Sequence, residues 1–209
     1  MISALHCNAT DIFKQKQIAV IKTIFKATTI PPKKCLFTEC SFVPRVTTVM
    51  NELGFMEKCI YETEMENCAK IREMVGSEAH VTLGKIQDTT DINFDLMYLD
   101  VSWNYKSFLK VMKAFARDKR FSSKCLVPAF ISKRNGFYPK TTKINYEDEL
   151  KTVMNENGYE IEQLPISEFL EGEKVRDSIN GVRGTDWHYN RGRGPGYVWK
   201  VYFVSKLDT

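Results

Sequence analysis

Two spacings of apolar residues alternate along the chain. Leu96-Met97-Tyr98-Leu99 is an unbroken apolar run, too short for a free-standing helix, and such runs suit a central strand covered on both faces. It ends in Asp100, where the strand is expected to stop. Helical spacing governs the opening: behind Thr10-Asp11, a threonine cap with an acid in the first turn, come Ile12, Phe13, Ile18, Ile21, Ile24 and Phe25. This amphipathic helix ends before Pro31-Pro32. Val46, Val49, Met50 and Leu53 predict a short helix stopped by Gly54. Cys68, Ile71 and Met74 predict one from about Glu66 to Val75, closed by Gly76. Phe108, Met112, Phe115 and Ala116 predict a helix from Asn104 to about Phe121. Acids at Glu147 to Glu149 open a last helix, which Gly158 ends.

Between these helices the strand-prone runs are 35–38, 58–62, 81–84, 96–100, 126–130, 159–164 and 198–205. Alternation of strands with helices or loops argues a parallel sheet with crossover connections. Pro128 cannot donate to a ladder, so it is expected at a bulge or strand end. Glu171 to Gly196 reads as a long, polar, glycine-rich loop. Each of the first four strands is followed by an acid, and ligand crevices in open parallel sheets lie at the carboxyl ends of strands. Asp100 is therefore the first candidate for chemistry; the alternative is that it caps a turn around Ser102 to Asn104.

Composition changes this picture in three ways. With 209 residues, 43% apolar and 27% charged, the chain is long enough for one sizeable core. No apolar run approaches the ~20 residues of a membrane span and no signal-peptide h-region is visible, so the expectation is a soluble intracellular protein, cytoplasmic or nuclear, not secreted. The six cysteines form no CxxC pair and the three histidines are far apart, so a metal site is not expected and the thiols read as reduced and structural. Net charge is only +4, yet Thr47 to Asp100 carries eleven acids against four bases, and Asn104 to Ile144 eleven bases against one acid. Such a concealed basic half suits an anionic partner, nucleic acid being the commonest, although a solvated lysine face reads the same way. Part of it is a stripe, Lys106, Lys110, Lys113, Arg117 and Arg120, opposite the apolar side of the Asn104 helix.

The order of units, five strands alternating with helices or loops, a last helix, then two strands separated by a loop with the final one aromatic-rich, resembles the class I S-adenosylmethionine-dependent methyltransferases. The resemblance covers nearly the whole chain after Pro32. It implies an α/β, three-layer Rossmann-like sandwich with a mostly parallel seven-stranded sheet, whose antiparallel last strand is inserted between the fifth and sixth. It divides the chain into an N-terminal helical segment, 1–30, packed on a methyltransferase-like domain, 31–209. By resemblance, Glu39 and Ser41 lie at the cofactor loop after the first strand, Glu62 or Glu64 supplies the ribose-binding acid, Asp88 the adenine-contacting position, and Asp100 the position beside the methyl group. The family's first loop is glycine-rich because the backbone approaches the cofactor closely. Here it reads Glu39-Cys40-Ser41-Phe42-Val43-Pro44, without glycine.

Asp100-Val101-Ser102-Trp103 is similar in placement to the Asp-Pro-Pro-aromatic motif of amino-group methyltransferases, with Trp103 as the stacking aromatic or an ordinary packing residue. Lys133, after the fifth strand, is placed to polarise a ribose hydroxyl with Asp100, as in cap 2′-O-methyltransferases, although Lys200 stands where that family has an acid in its last strand. Arg134, Trp187, Arg191 and Arg193 interleave cations with stacking surfaces, the pattern of a nucleic-acid rim. The leading expectation is a methyltransferase using S-adenosylmethionine on RNA or another nucleic acid. The alternatives are a catalytically inert fold serving as a binding module, and a small-molecule or protein methyltransferase.

Overall fold

In the computed structural model the described residues are 17–39, 43–103, 105–132, 146–166, 181–183, 186–190 and 196–208, with the backbone alone described at 100–103, 130, 132, 181–183, 186–190 and 196–198. A helix over 17–27 (α1) leads into β1 (Lys34–Phe37), α2 (Arg45–Glu52), β2 (Glu57–Glu62), α3 (Met65–Val75) and β3 (His80–Leu83). The chain continues through β4 (Phe94–Trp103), α4 (Tyr105–Arg117), β5 (Phe121–Ser132), α5 (Tyr146–Glu156) and β6 (Tyr159–Gln163). It closes with β7 (Gly181–Arg183), β8 (Asp186–Asn190) and β9 (Gly196–Lys206).

These strands make one sheet in the order β3-β2-β1-β4-β5-β9-β8-β7, with β6 also paired to β9. The first five strands pair in parallel, whereas β9 runs antiparallel between β5 and β6. This is the expected three-layer Rossmann-like sandwich. One face of the sheet carries Phe37, Ile60, Tyr98 and Val201 against Ile21 of α1, Met50 of α2 and Ile71 of α3. The other carries Met97, Leu99, Val127 and Tyr202 against Phe108 and Met112 of α4 and Leu150 of α5. Both faces are covered by helices, which is why the central strands read as continuous apolar runs.

Local sequence explains the ends of the elements. Gly54 and Gly158 stop α2 and α5 at φ of +83° and +84°, a conformation that glycine adopts without a Cβ penalty. Among the described residues, buried Cys35, Cys59, Cys68 and Cys125 are free thiols and no group of ligands is arranged for a metal ion. No described helix is long and apolar enough to cross a membrane.

Four expectations are corrected. The strand through Asp100 does not stop there but continues to Trp103, which pairs with Ile131. α4 ends at Arg117 rather than near Phe121: Lys119 takes a positive φ of 55°, and Phe121 turns into the core edge-on to Phe115 and Tyr159. Pro128 sits inside β5 opposite Val201 in an unbroken ladder. Its missing N–H removes one donor toward one neighbour only, and the rest of the ladder holds. Finally, part of the Glu171–Gly196 stretch is a β-hairpin, β7 and β8, which pairs to the first half of β9 and widens the sheet from seven strands to nine. Alternating Trp187-His188-Tyr189 carries the strand propensity that its glycine-rich flanks concealed.

One buried carboxylate ties β4 to the start of β1. Asp95 is 4% exposed, and its Oδ2 accepts the backbone N–H groups of Lys33 (3.1 Å) and Lys34 (2.9 Å). Asp95→Ala leaves both amides without that acceptor and is expected to lower unfolding free energy by about 2–3 kcal/mol, read from urea denaturation, with Asp95→Asn intermediate. An alanine variant as stable as the wild type would show that this bond does not hold the strands together.

Candidate active site

Register decides which acids meet. Phe37 of β1 pairs with Ile60 of β2 on one side and Tyr98 of β4 on the other. Counting two residues on along each chain reaches Glu39, Glu62 and Asp100, so the register brings three acids to the carboxyl ends of the adjacent strands β1, β2 and β4. Glu39 and Glu62 continue the sheet face of Phe37 and Ile60, which packs on α1, α2 and α3. At Asp100 the ladder is irregular: from Leu99 to Trp103 β4 advances four residues while β5 advances two, from Ala129 to Ile131. Bulges of this kind re-aim side chains at strand ends.

Glu39 is 8% exposed and committed to the protein itself. Its carboxylate accepts N–H bonds from Val46 (3.2 Å) and Thr47 (2.6 Å) and the Thr47 hydroxyl (2.8 Å). Those amides are the orphan donors in the first turn of α2, whose N-cap residue is Pro44, a residue with no side-chain acceptor. Glu39 thus caps from a distance, and the charge at the end of β1 is met by the end of α2.

Glu62 closes β2 differently. Its Oε1 accepts the backbone N–H groups of Thr63 (2.6 Å) and Glu64 (2.9 Å), while Oε2 makes no hydrogen bond among the described residues. Glu64 is the N-cap residue of α3, is exposed, and accepts Asn67 Nδ2 at 3.1 Å. Asp88 is exposed in a single helical turn, Ile86–Asp88, pinned by buried Ile86. The buried polar residue of that segment is Thr89, whose Oγ1 accepts the Tyr61 hydroxyl (3.0 Å) and the Asp91 N–H (3.2 Å). Sequence reading passed over Thr47 and Thr89, since neither forms part of a charged pattern.

The backbone of Trp103 lies in β4 and that of Trp187 in β8, opposite Trp199. Ser41, Lys133, Arg134, Arg191 and Arg193 lie outside the described residues. The strand ends that flank them are described: Ser132 pairs with Tyr197, Tyr197 with Tyr189, and Gly196 with Asn190. The end of β5, the start of β9 and the end of β8 therefore meet in one row at the carboxyl edge, beside the irregularity in β4.

Lys200, noted in sequence as standing where an acid might have been, is 7% exposed in β9. Its Nζ pairs with Glu147 Oε1 (2.6 Å) and Gln163 Oε1 (3.0 Å), and the Tyr202 hydroxyl reaches the same Glu147 oxygen at 3.3 Å. This network fastens the first turn of α5 to β9 and β6. At the opposite, amino edge of the sheet a cavity of about 300 Å³ is lined by Lys34, Cys59, His80 and Asp91 among others. Burial, reinforced by the Asp91 carboxylate, pushes the Cys59 thiol up to about 11, so it is not a nucleophile at neutral pH.

The carboxyl-edge row suits a ligand rich in hydrogen-bond donors. The first turn of α2 meets the charge of Glu39, and the amides before α3 meet that of Glu62. Glu39→Ala is expected to lower stability by about 2 kcal/mol in denaturant unfolding, as removal of a helix cap and its buried acceptor does. Glu39→Gln, which keeps one acceptor, should lose less; equal losses would show that bulk rather than capping is at stake.

No family model and no curated protein sequence matches the chain. Solved structures do. TYW2 from M. jannaschii, solved in complex with AdoMet, superposes with a TM-score of 0.56 at 10% identity, over 94% of this chain and 76% of that one. TYW2 from P. horikoshii with MeSAdo gives 0.55 at 11% identity over 91% of this chain, which spans only 62% of that protein's length. A Pyrococcus horikoshii protein provisionally described as an RNA methyltransferase gives 0.52 at 11% identity, over 93% and 84% of the two chains. With β9 antiparallel between β5 and β6 and helices on both faces, the chain has the fold of the class I S-adenosylmethionine-dependent methyltransferases.

Proposed function

We propose that the chain is an S-adenosylmethionine-dependent methyltransferase acting on RNA. The observation that carries this reading is the convergence at one sheet edge of the Glu39–Glu62–Asp100 row with the ends of β5, β8 and β9, which lead to and from the basic segments around Lys133 and Arg191. The fold neighbours support it: one was solved with AdoMet and another is provisionally described as an RNA methyltransferase.

The residues present fit the cofactor. Glu62 has one carboxylate oxygen held by backbone amides, which fixes its orientation, and a second that accepts from ribose hydroxyls. Glu64 borders it, Asp88 stands for the adenine side, and Ser41 belongs to the loop after Glu39. Glu39 acts as a positioning residue that holds α2 against β1. When bound, S-adenosylmethionine supplies a methyl group on a sulfonium, already a good leaving group. The protein's part is then chiefly alignment, which is worth several kcal/mol by itself. Asp100 accepts a hydrogen bond from the attacking N–H or O–H, Lys133 polarises the same acceptor, and Trp103 stacks on the base. Arg134, Arg191 and Arg193 neutralise phosphates, and Trp187 offers a ring to an unpaired base.

One observation favours a second reading, a methyltransferase fold that binds RNA without catalysis: both oxygens of Glu39 are occupied by α2. Calorimetry with S-adenosylmethionine separates the two. The enzyme binds it, and Glu62→Ala weakens binding by about 10- to 100-fold, as loss of a charged hydrogen-bond partner does. Absence of binding by the wild type leaves the inert module. For RNA, Arg191→Ala with Arg193→Ala is expected to flatten the dependence of log K on log salt by about 1.4, two single-strand phosphate contacts. Trp187→Ala should weaken binding with little change of slope. A double arginine variant with wild-type affinity and slope would remove the RNA reading of the rim.

A further inference from the structure

We infer that the outward face of α4, built by Lys106, Lys110 and Lys113, is a track along which single-stranded RNA leaves the active-site edge. The inference rests on the RNA reading above and names a surface that it does not require. α4 follows Trp103 at the carboxyl edge and runs back along the sheet toward the amino edge, where Arg120 O bonds the Phe94 N–H. Its inner side, Phe108, Met112 and Phe115, is fully in the core. The three lysines are exposed on the other side at steps of four and three, a single stripe rising about 10 Å at 1.5 Å per residue.

Four of the other lysines described on helices and strands are held by acids. Lys22 pairs with Glu52, Lys70 with Glu66 at 2.6 Å, Lys34 with both Glu57 and Asp91, and Lys200 with Glu147. Lys106, Lys110 and Lys113 make no ion pair among the described residues, and α4 contains no acid at all. The stripe ends at Arg117, where Asp118 takes the guanidinium at 2.7 Å. Like charges at helical spacing destabilise by about 0.2–0.5 kcal/mol per pair, and Lys106 sits in the first turn, where the helix dipole opposes a cation. Folding gains nothing from this arrangement; a polyanion does.

The chemistry of the face selects the polyanion. None of the exposed large apolar side chains of the described residues lies on α4, so there is no greasy patch for a lipid surface or a protein partner to bury. What remains is a line of flexible point charges that begins where α4 leaves the carboxyl edge, and this matches a phosphodiester backbone.

The test uses the full chain, the variant Lys106→Gln/Lys110→Gln/Lys113→Gln, and oligouridines of about 5 and about 15 nucleotides, within the site sizes typical of single-strand binders. For the longer RNA the triple variant should flatten the salt slope by about 2, so that between 50 and 200 mM salt the wild type loses about 16-fold more affinity than the variant. Affinity for the shorter RNA and for S-adenosylmethionine, and the urea midpoint, should stay at wild-type values. If the longer RNA binds the variant with unchanged slope while the Arg191/Arg193 variant is impaired, the track is wrong and the RNA reading survives. If neither variant differs from the wild type, or the wild type binds no RNA, both fail. An equal loss for both RNA lengths would make the lysines a diffuse attractive field and overturn the track.

Discussion

Everything at the candidate site depends on β1 being paired on both sides. It is only four residues long, yet Lys34 to Phe37 hold β2 in one register and Cys35 to Phe37 hold β4 in another. A slip of one residue on either side would turn Leu36 or its partners to the wrong face. That is prohibitive when Cys35, Leu36 and Phe37 are fully buried and both sheet faces are covered. The row of Glu39, Glu62 and Asp100 follows from this register. Asp95 reinforces it from the other end, with one carboxylate oxygen bonding the two amides that enter β1.

The acidic row exists because other groups meet its charge. Glu39 is satisfied by the first turn of α2 and Glu62 by the amides that lead into α3. Two of the three carboxylates are thus oriented before any ligand arrives, and orientation in advance is what a binding or catalytic group needs. Glu39 has gone furthest in this direction: its capping role substitutes for a side-chain cap that Pro44 cannot provide. The same acid that the family pattern places at the cofactor loop therefore serves structure first.

The far side of the sheet is organised by a different buried charge. Lys200 in β9 is met by Glu147 and Gln163, and Glu147 also accepts the Tyr202 hydroxyl, drawing α5 and β6 onto β9. Because β9 is eleven residues long, its second half pairs with β6 while its first half is left for β8, so the hairpin extends the sheet at the carboxyl edge rather than elsewhere. A strand length thus decides where the basic, aromatic segment is anchored.

Much of the fold was legible in sequence. Continuous apolar runs, helical spacing, Gly54, Gly76 and Gly158, and Pro31-Pro32 located seven strands and five helices, because burial on both faces and chain-terminating backbone conformations act over a few residues. The acids after each strand were legible for the same local reason, and so was the lysine stripe of α4. What sequence did not determine depends on contacts far apart along the chain. That β4 runs on past Asp100 is set by β5 beside it, and Pro128 is tolerated inside a strand because β4 and β9 hold β5 on both sides. The hairpin of β7 and β8 forms because β9 offers it an unpaired edge. Whether Glu39 faces a ligand or a helix end was decided only by the packing that brings Val46 and Thr47 to its carboxylate: spacing along a chain says which groups are near a strand end, and only the tertiary structure says which donors reach them first.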